Sequence, residues 1–166
     1  MRFDRDCARG NPRCRHGQFA SARLINLSAR AFVGSGGSNS LVAGFVIGGT
    51  PTETILIRGI GPALTGFNVS GALTTPILTV FDNAGAVIGS NTGWNSAALQ
   101  GNSIVQGYLQ AATLAVMNQV SAFGLTAGSA YCALVVTLPS GSYSASVSGV
   151  GNATGVALVE VYEVPQ

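Results

Sequence analysis

The chain has 166 residues, of which 8% are charged and 47% hydrophobic, with a formal net charge of +2. Ordinary soluble proteins carry about 25% charged residues, so this surface must be built largely from glycine, hydroxyl and amide groups, with little charge repulsion to keep copies apart. The length predicts one domain with a substantial core, and the surface makes self-association an expectation.

The arginines are unevenly placed. Arg2, Arg5, Arg9, Arg13 and Arg15 crowd the first fifteen residues beside Asp4 and Asp6, whereas from residue 16 onward Arg23, Arg30 and Arg58 face Glu53, Asp82, Glu160 and Glu163, and lysine is absent throughout. The body therefore has no basic stripe to follow a phosphate backbone, which argues against nucleic acid as a partner. No run approaches the eighteen or so apolar residues of a membrane span, and the N-terminus lacks the basic, apolar, small-residue order of a signal peptide.

Residues 1–20, charged and broken by Gly10, Pro12 and Gly17, read as a tail. It is either a leader or misplaced start, or an ordered arm that docks on a neighbouring copy. Residues 21–166 read as a single domain. Cys7, Cys14 and Cys132 match no zinc-ligand spacing; in an oxidising compartment Cys7 and Cys14 are the easiest pair, which leaves Cys132 alone.

From Ala22 the chain becomes short β-branched or alternating runs separated by Gly, Pro, Asn and Ser, the pattern of an antiparallel sandwich or barrel. Strands are predicted over 22–33, 40–48, 53–60, 76–82, 85–90, 130–138, 141–149 and 155–164. Asp82-Asn83-Ala84-Gly85 and Pro139-Ser140-Gly141 supply turn chemistry and both predict hairpins. In the second of these, Tyr143, Ala145 and Val147 alternate with Ser142, Ser144, Ser146 and Ser148, so one face is buried and the other is a serine ladder. Between 103 and 121, Val105, Leu109, Ala112, Val116 and Val120 share one helical stripe, which predicts a short amphipathic helix over an edge or open end of the sandwich; Gly107 weakens it. The fold class expected is all-β, an antiparallel, jelly-roll-like sandwich with one short helix.

Enzyme chemistry finds few tools here. The only histidine, His16, lies in the tail, so neither a Ser-His-Asp nor a Cys-His design can be assembled in the body, and without lysine Schiff-base and Ser-Lys chemistry are excluded too. Four body carboxylates are too few for a persuasive glycosidase dyad or a calcium cage. The glycine strings at 34–38 and 58–66 lack both GxGxxG and the Walker lysine and read as loops or bulges. No catalytic residue, metal site or cofactor is expected. Cys132, in a strand-like run, reads as a small buried hydrophobe.

Three further positions carry expectations. Arg58, following the apolar run Ile55-Leu56-Ile57, suits a buried or half-buried structural ion pair with Glu160 or Asp82. Trp94 reads as a core or rim anchor; exposed, it would stack on a sugar or a partner protein. Asn26, Asn68 and Asn152 each begin an Asn-X-Ser/Thr triplet, compatible with glycans on a secreted surface.

The pieces RLINLSARAFVGSG, LVAGFVIGG, ILIRGIGPAL, LTVFDNAGAVIGSNTGW and LPSGSYSASVSGVGNATGVALVEVYE resemble a β-sandwich repeat of large secreted bacterial proteins. More loosely, DNAGAVIGSNTGW and GSYSASVSG are similar to pre-peptidase C-terminal domains. The resemblance implies a jelly-roll-like sandwich used for secretion, adhesion or tethering, at the cell surface or outside it, and no active site. Two functions are therefore expected of the chain: a structural filament or surface-layer subunit joined by strand addition between copies, or a module that binds carbohydrate or another surface.

Overall fold

The computed structural model describes residues 25–94 and 109–165. Among these residues seven strands form one antiparallel sheet: β1 (Asn26–Val33), β2 (Leu41–Ile60), β3 (Pro76–Asp82), β4 (Val87–Asn91), β5 (Leu109–Ala111), β6 (Cys132–Gly149) and β7 (Gly155–Glu163), with an α-helix, α1 (Leu114–Gln119), between β5 and β6. The order across the sheet is β1-β7-β2-β6-β3-β4, and β5 pairs with β6 beside that path.

β2 and β6 are long because each serves two leaves of a sandwich. Thr52–Gly59 of β2 pairs with Pro139 back to Cys132, while Leu41–Ile47 pairs with Val147 back to Gly141, the register shifting between Ile47 and Thr52. β7 pairs with β2 only over Ile55–Ile60, and β3 pairs with β6 only over Tyr143–Gly149. One leaf thus contains β1, β7, the second half of β2, the first half of β6 and β5. The other contains the first half of β2, the second half of β6, β3 and β4. A Cβ on Gly59 would lie 3.2 Å from Val147 and 3.5 Å from Leu78 of the facing leaf, so the absence of a side chain there lets the leaves close.

Between the leaves lies the main core. β2 contributes Leu41, Ala43, Ile47, Ile55 and Ile57; β6 contributes Cys132, Leu134, Val136 and Leu138, then Ala145 and Val147. The inward positions of β6 pass from even to odd numbers across Pro139–Gly141, as a bulge requires, since side chains alternate strictly along an unbroken strand. Pro139-Ser140-Gly141 is therefore not a hairpin: the strand continues through it, and the turn-like composition marks the change of phase where β6 passes from one leaf to the other. The hairpin predicted at Asp82–Gly85 does join β3 to β4. Asp82 Oδ1 accepts from the amides of Ala84 and Ala86 at 2.9 and 2.8 Å, and Gly85 takes a φ of 80°.

The outer face of the first leaf carries a second core of Leu56, Ile60, Ala133 and Val135, covered by Leu64, Trp94, Ala112, Met117, Ala122 and Leu125. Burial on both faces explains why 55–57 and 133–136 are continuous apolar runs instead of alternating ones. The helix predicted over 103–121 is shorter than expected. Leu109, Gln110 and Ala111 pair instead with Val136, Val135 and Leu134, completing the ladder on that side of β6. Thr113 then caps α1, its hydroxyl accepting from the Val116 amide, and Ser121 at a φ of 57° follows the end of the helix. The part of the predicted helix before Leu109 lies outside the described residues.

Candidate functional site

The two leaves have two seams, and they differ. On one side β4 and β5 approach each other. Leu109 fills the space beside Gly89, where a Cβ would meet its side chain at 2.8 Å, and Asn91 Nδ2 donates to the Ala133 carbonyl at 2.6 Å. That seam is plugged by side chains.

The opposite seam is open. Among the described residues β1 pairs only with β7, and the first half of β2 pairs only with β6, so each leaf ends there in a strand with an unpaired edge. Between these edges runs a groove of about 520 Å³, lined by Ile25, Asn26 and Leu27 of the β1 end, Gly44–Gly48, Glu53 and Ile55 of β2, and Val161 and Glu163 of β7. Leu41–Gly49 contains no charge and no proline, the devices by which an edge strand ordinarily discourages pairing, and Val46 within it is 74% exposed. Phe45 stacks on Tyr143, with ring centroids 5.8 Å apart. What the groove offers chemically is a pair of backbone ladders over an apolar floor, with two carboxylates, Glu53 and Glu163, in its lining.

The expected pair Arg58 and Glu160 face each other across β2 and β7, which pair at this register. Arg58 is 0% exposed, and its Nε lies 3.3 Å from Glu160 Oε2. The contact is ionic without hydrogen-bond alignment, and Nε, Nη1 and Nη2 have no acceptor among the described residues. The Phe123 ring lies 4.2 Å from the guanidinium carbon, a cation–π contact. Burial pulls the Arg58 pKa down, opposed by the charges of Glu160 and Tyr162. The Tyr162 hydroxyl donates to Glu160 Oε1 at 2.8 Å; burial, then that bond and the Glu160 charge, push its pKa up to about 12.

Trp94 is 4% exposed and its Nε1 donates to the Thr126 carbonyl at 2.8 Å. It packs in the second core, so as a stacking platform for a sugar it is withdrawn: no ring face is presented to solvent. Cys132 is fully buried, its thiol donating to the Pro76 carbonyl at 3.0 Å, and burial pushes it up to about 12, far from a reactive thiolate. Cys7 and Cys14 lie outside the described residues, as does the 1–20 tail. Of the sequon asparagines, Asn26 is half-buried and pairs with Tyr162, whereas Asn68 and Asn152 are exposed at turn positions with φ of 60° and 63°. Among the described residues no three His, Cys, Asp or Glu side chains cluster as metal ligands, and no helix is long and apolar enough to cross a membrane.

The open seam was missed by motif reading because it contains no motif. Its one sequence signal is the uncharged stretch LVAGFVIGG, which reads as an ordinary strand until its missing neighbour is known. Compared with known proteins, the chain matches no family model, no curated protein and no solved structure. The likeness to pre-peptidase C-terminal domains therefore rests on the quoted sequence pieces alone.

Proposed function

We propose that the chain is a structural, non-catalytic subunit of an extracellular bacterial filament or surface layer, assembled by β-strand addition between copies. The observation that carries this reading is the open seam: among the described residues two unpaired strand edges flank a groove with an apolar floor, and the Leu41–Gly49 edge carries neither charge nor proline against a further strand. Main-chain pairing along both edges supplies affinity, and side chains entering the groove supply register. The low charge of the whole surface favours association in the same direction. A sandwich with one open, directional slot builds head-to-tail, and head-to-tail contacts that do not close into a ring give filaments.

The test is electron microscopy of the purified full chain beside size-exclusion chromatography with light scattering. Fibres with a repeat of one small subunit are expected; a chain that stays monomeric across the accessible concentration range refutes assembly. A competing carbohydrate-binding reading would have to use another aromatic side chain, since Trp94 is 4% exposed. Exposed Asn68 and Asn152 leave room for glycans on the subunit itself, which intact-mass measurement of native material would reveal.

A further inference from the structure

The fold sorts the three Asn-X-Ser/Thr triplets by whether their amide nitrogen can be reached. A sugar is attached to such an asparagine on a surface loop, with Nδ2 free to react and the hydroxyl two residues on. Asn26 fails on both counts: it lies in β1, paired with Tyr162 of β7, and its Nδ2 is buried.

Asn68 and Asn152 meet the requirement. Asn68 closes the helical turn Pro62–Phe67, its backbone amide donating to the Leu64 and Thr65 carbonyls, and Asn152 ends the turn Val150–Asn152. Both adopt the left-handed conformation, at φ of 60° and 63°, which asparagine tolerates better than most residues. That accounts for asparagine at the two positions but not for an exposed hydroxyl two residues later, and both turns have one, Ser70 and Thr154. Among the described residues neither asparagine side chain is held by a hydrogen bond. Each also has an exposed apolar neighbour, Phe67 at 62% just before Asn68 and Val150 at 44% two residues before Asn152. A first sugar lying over either would cover apolar surface that the fold leaves in water.

The two turns share one end of the sandwich. The Leu73 amide donates to the Val156 carbonyl, the Val156 amide to the Gly71 carbonyl, and the Val150 amide to the Thr75 carbonyl. These bonds tie the segment after Asn68 to the one around Asn152, at the Gly155 end of β7. Val161 and Glu163, at the other end of that strand, line the open groove. Val156 and Glu163 are about 23 Å apart at strand spacing, so sugars on the two turns project from the end remote from that part of the seam.

Resting on the extracellular reading above, we infer that Asn68 and Asn152 are N-glycosylated and that Asn26 is not. In the transfer, Nδ2 attacks the anomeric carbon of a sugar carried as a phosphate ester. The C–N bond forms as the C–O bond to phosphate breaks, the phosphate leaves with the electron pair, and the amide proton passes to a base of the transferring enzyme. The attached hydroxyl groups hydrate a chain in which only 8% of residues are charged, without closing the seam.

The experiment is intact-mass spectrometry of the full chain recovered from its own organism, native and variant, corrected for the mass of each substitution. Asn68→Gln and Asn152→Gln should each remove one glycan, and Asn26→Gln none. Ser70→Ala and Thr154→Ala keep both asparagines in their turns and should remove the same two increments, which separates lost attachment from a disturbed turn. A glycan lost in Asn26→Gln would overturn the assignment. If Ser70→Ala/Thr154→Ala changes the mass by no more than the substitutions themselves, the assignment also fails. With the chain outside the cell, that result leaves the filament reading standing; with the chain confined inside, it overturns both.

Discussion

Glu160→Gln is the sharpest test of how the body tolerates a buried cation. At the 3.3 Å separation of Arg58 Nε and Glu160 Oε2, Coulomb attraction at an effective dielectric of about 20 amounts to ~5 kcal/mol. Glutamine preserves shape and can still accept from the Tyr162 hydroxyl, but among the described residues it leaves the fully buried guanidinium with the Phe123 ring alone as compensation. Breaking one side of a buried pair typically costs about 3–5 kcal/mol, so unfolding in urea should lose that much stability. Trp94, the only tryptophan and a buried one, reports the transition by fluorescence. The double substitution Arg58→Met/Glu160→Gln should recover most of the loss, since an apolar replacement of similar length removes the uncompensated charge. If Glu160→Gln cost under about 1 kcal/mol, or the double substitution were no better than the single, the pair would not be what holds Arg58 in the core.

The other expectations concern packing and pH. Met117→Ala should cost about 2–5 kcal/mol, because Met117 is fully buried and anchors the short helix on the outer face of the first leaf; a smaller change in urea midpoint at constant m-value would mean that α1 contributes little to that cover. Gly61→Ala should be destabilising by roughly 2 kcal/mol or more, since its Cβ would run into the Leu73 carbonyl, and thermal unfolding checks it directly. Cys132, raised from 9.0 to about 12, keeps its proton when folded, so its contribution is fully present below pH 9 and is lost as pH rises toward 12, at about 1.4 kcal/mol per unit. Cys132→Ala should flatten that alkaline limb, which urea titrations at pH 8, 9.5 and 11 would register; an unchanged slope would show that the thiol ionises as easily folded as unfolded.

Much of the strand framework could be read from the residues, and the failures have physical causes. Alternation in Tyr143–Ser148 announced a half-exposed strand, and the Asp82 turn carried its own side-chain bonds. Pro139-Ser140-Gly141 misled because a phase change inside a long strand uses the same residues as a reversal. The stretch before Ala122 misled because apolar spacing alone could not reveal that Leu109–Ala111 would be taken by the edge of β6, leaving six helical residues in the described part of that stretch. The open seam lay furthest from view, being defined by a strand partner that no local pattern announces.

The pairing of β1 with β7 also sets a timetable. Val33 meets Gly155 and Asn26 meets Tyr162, so on the ribosome the first strand must wait for about 120 further residues, roughly 6–25 s at ordinary rates of synthesis. Until β6 emerges β2 has no partner either, and until β7 emerges its second half lacks one of its two neighbours. If the finished subunit accepts strands from its neighbours, its own unpaired first strands are most exposed to mispairing in these first seconds, before the last strand emerges.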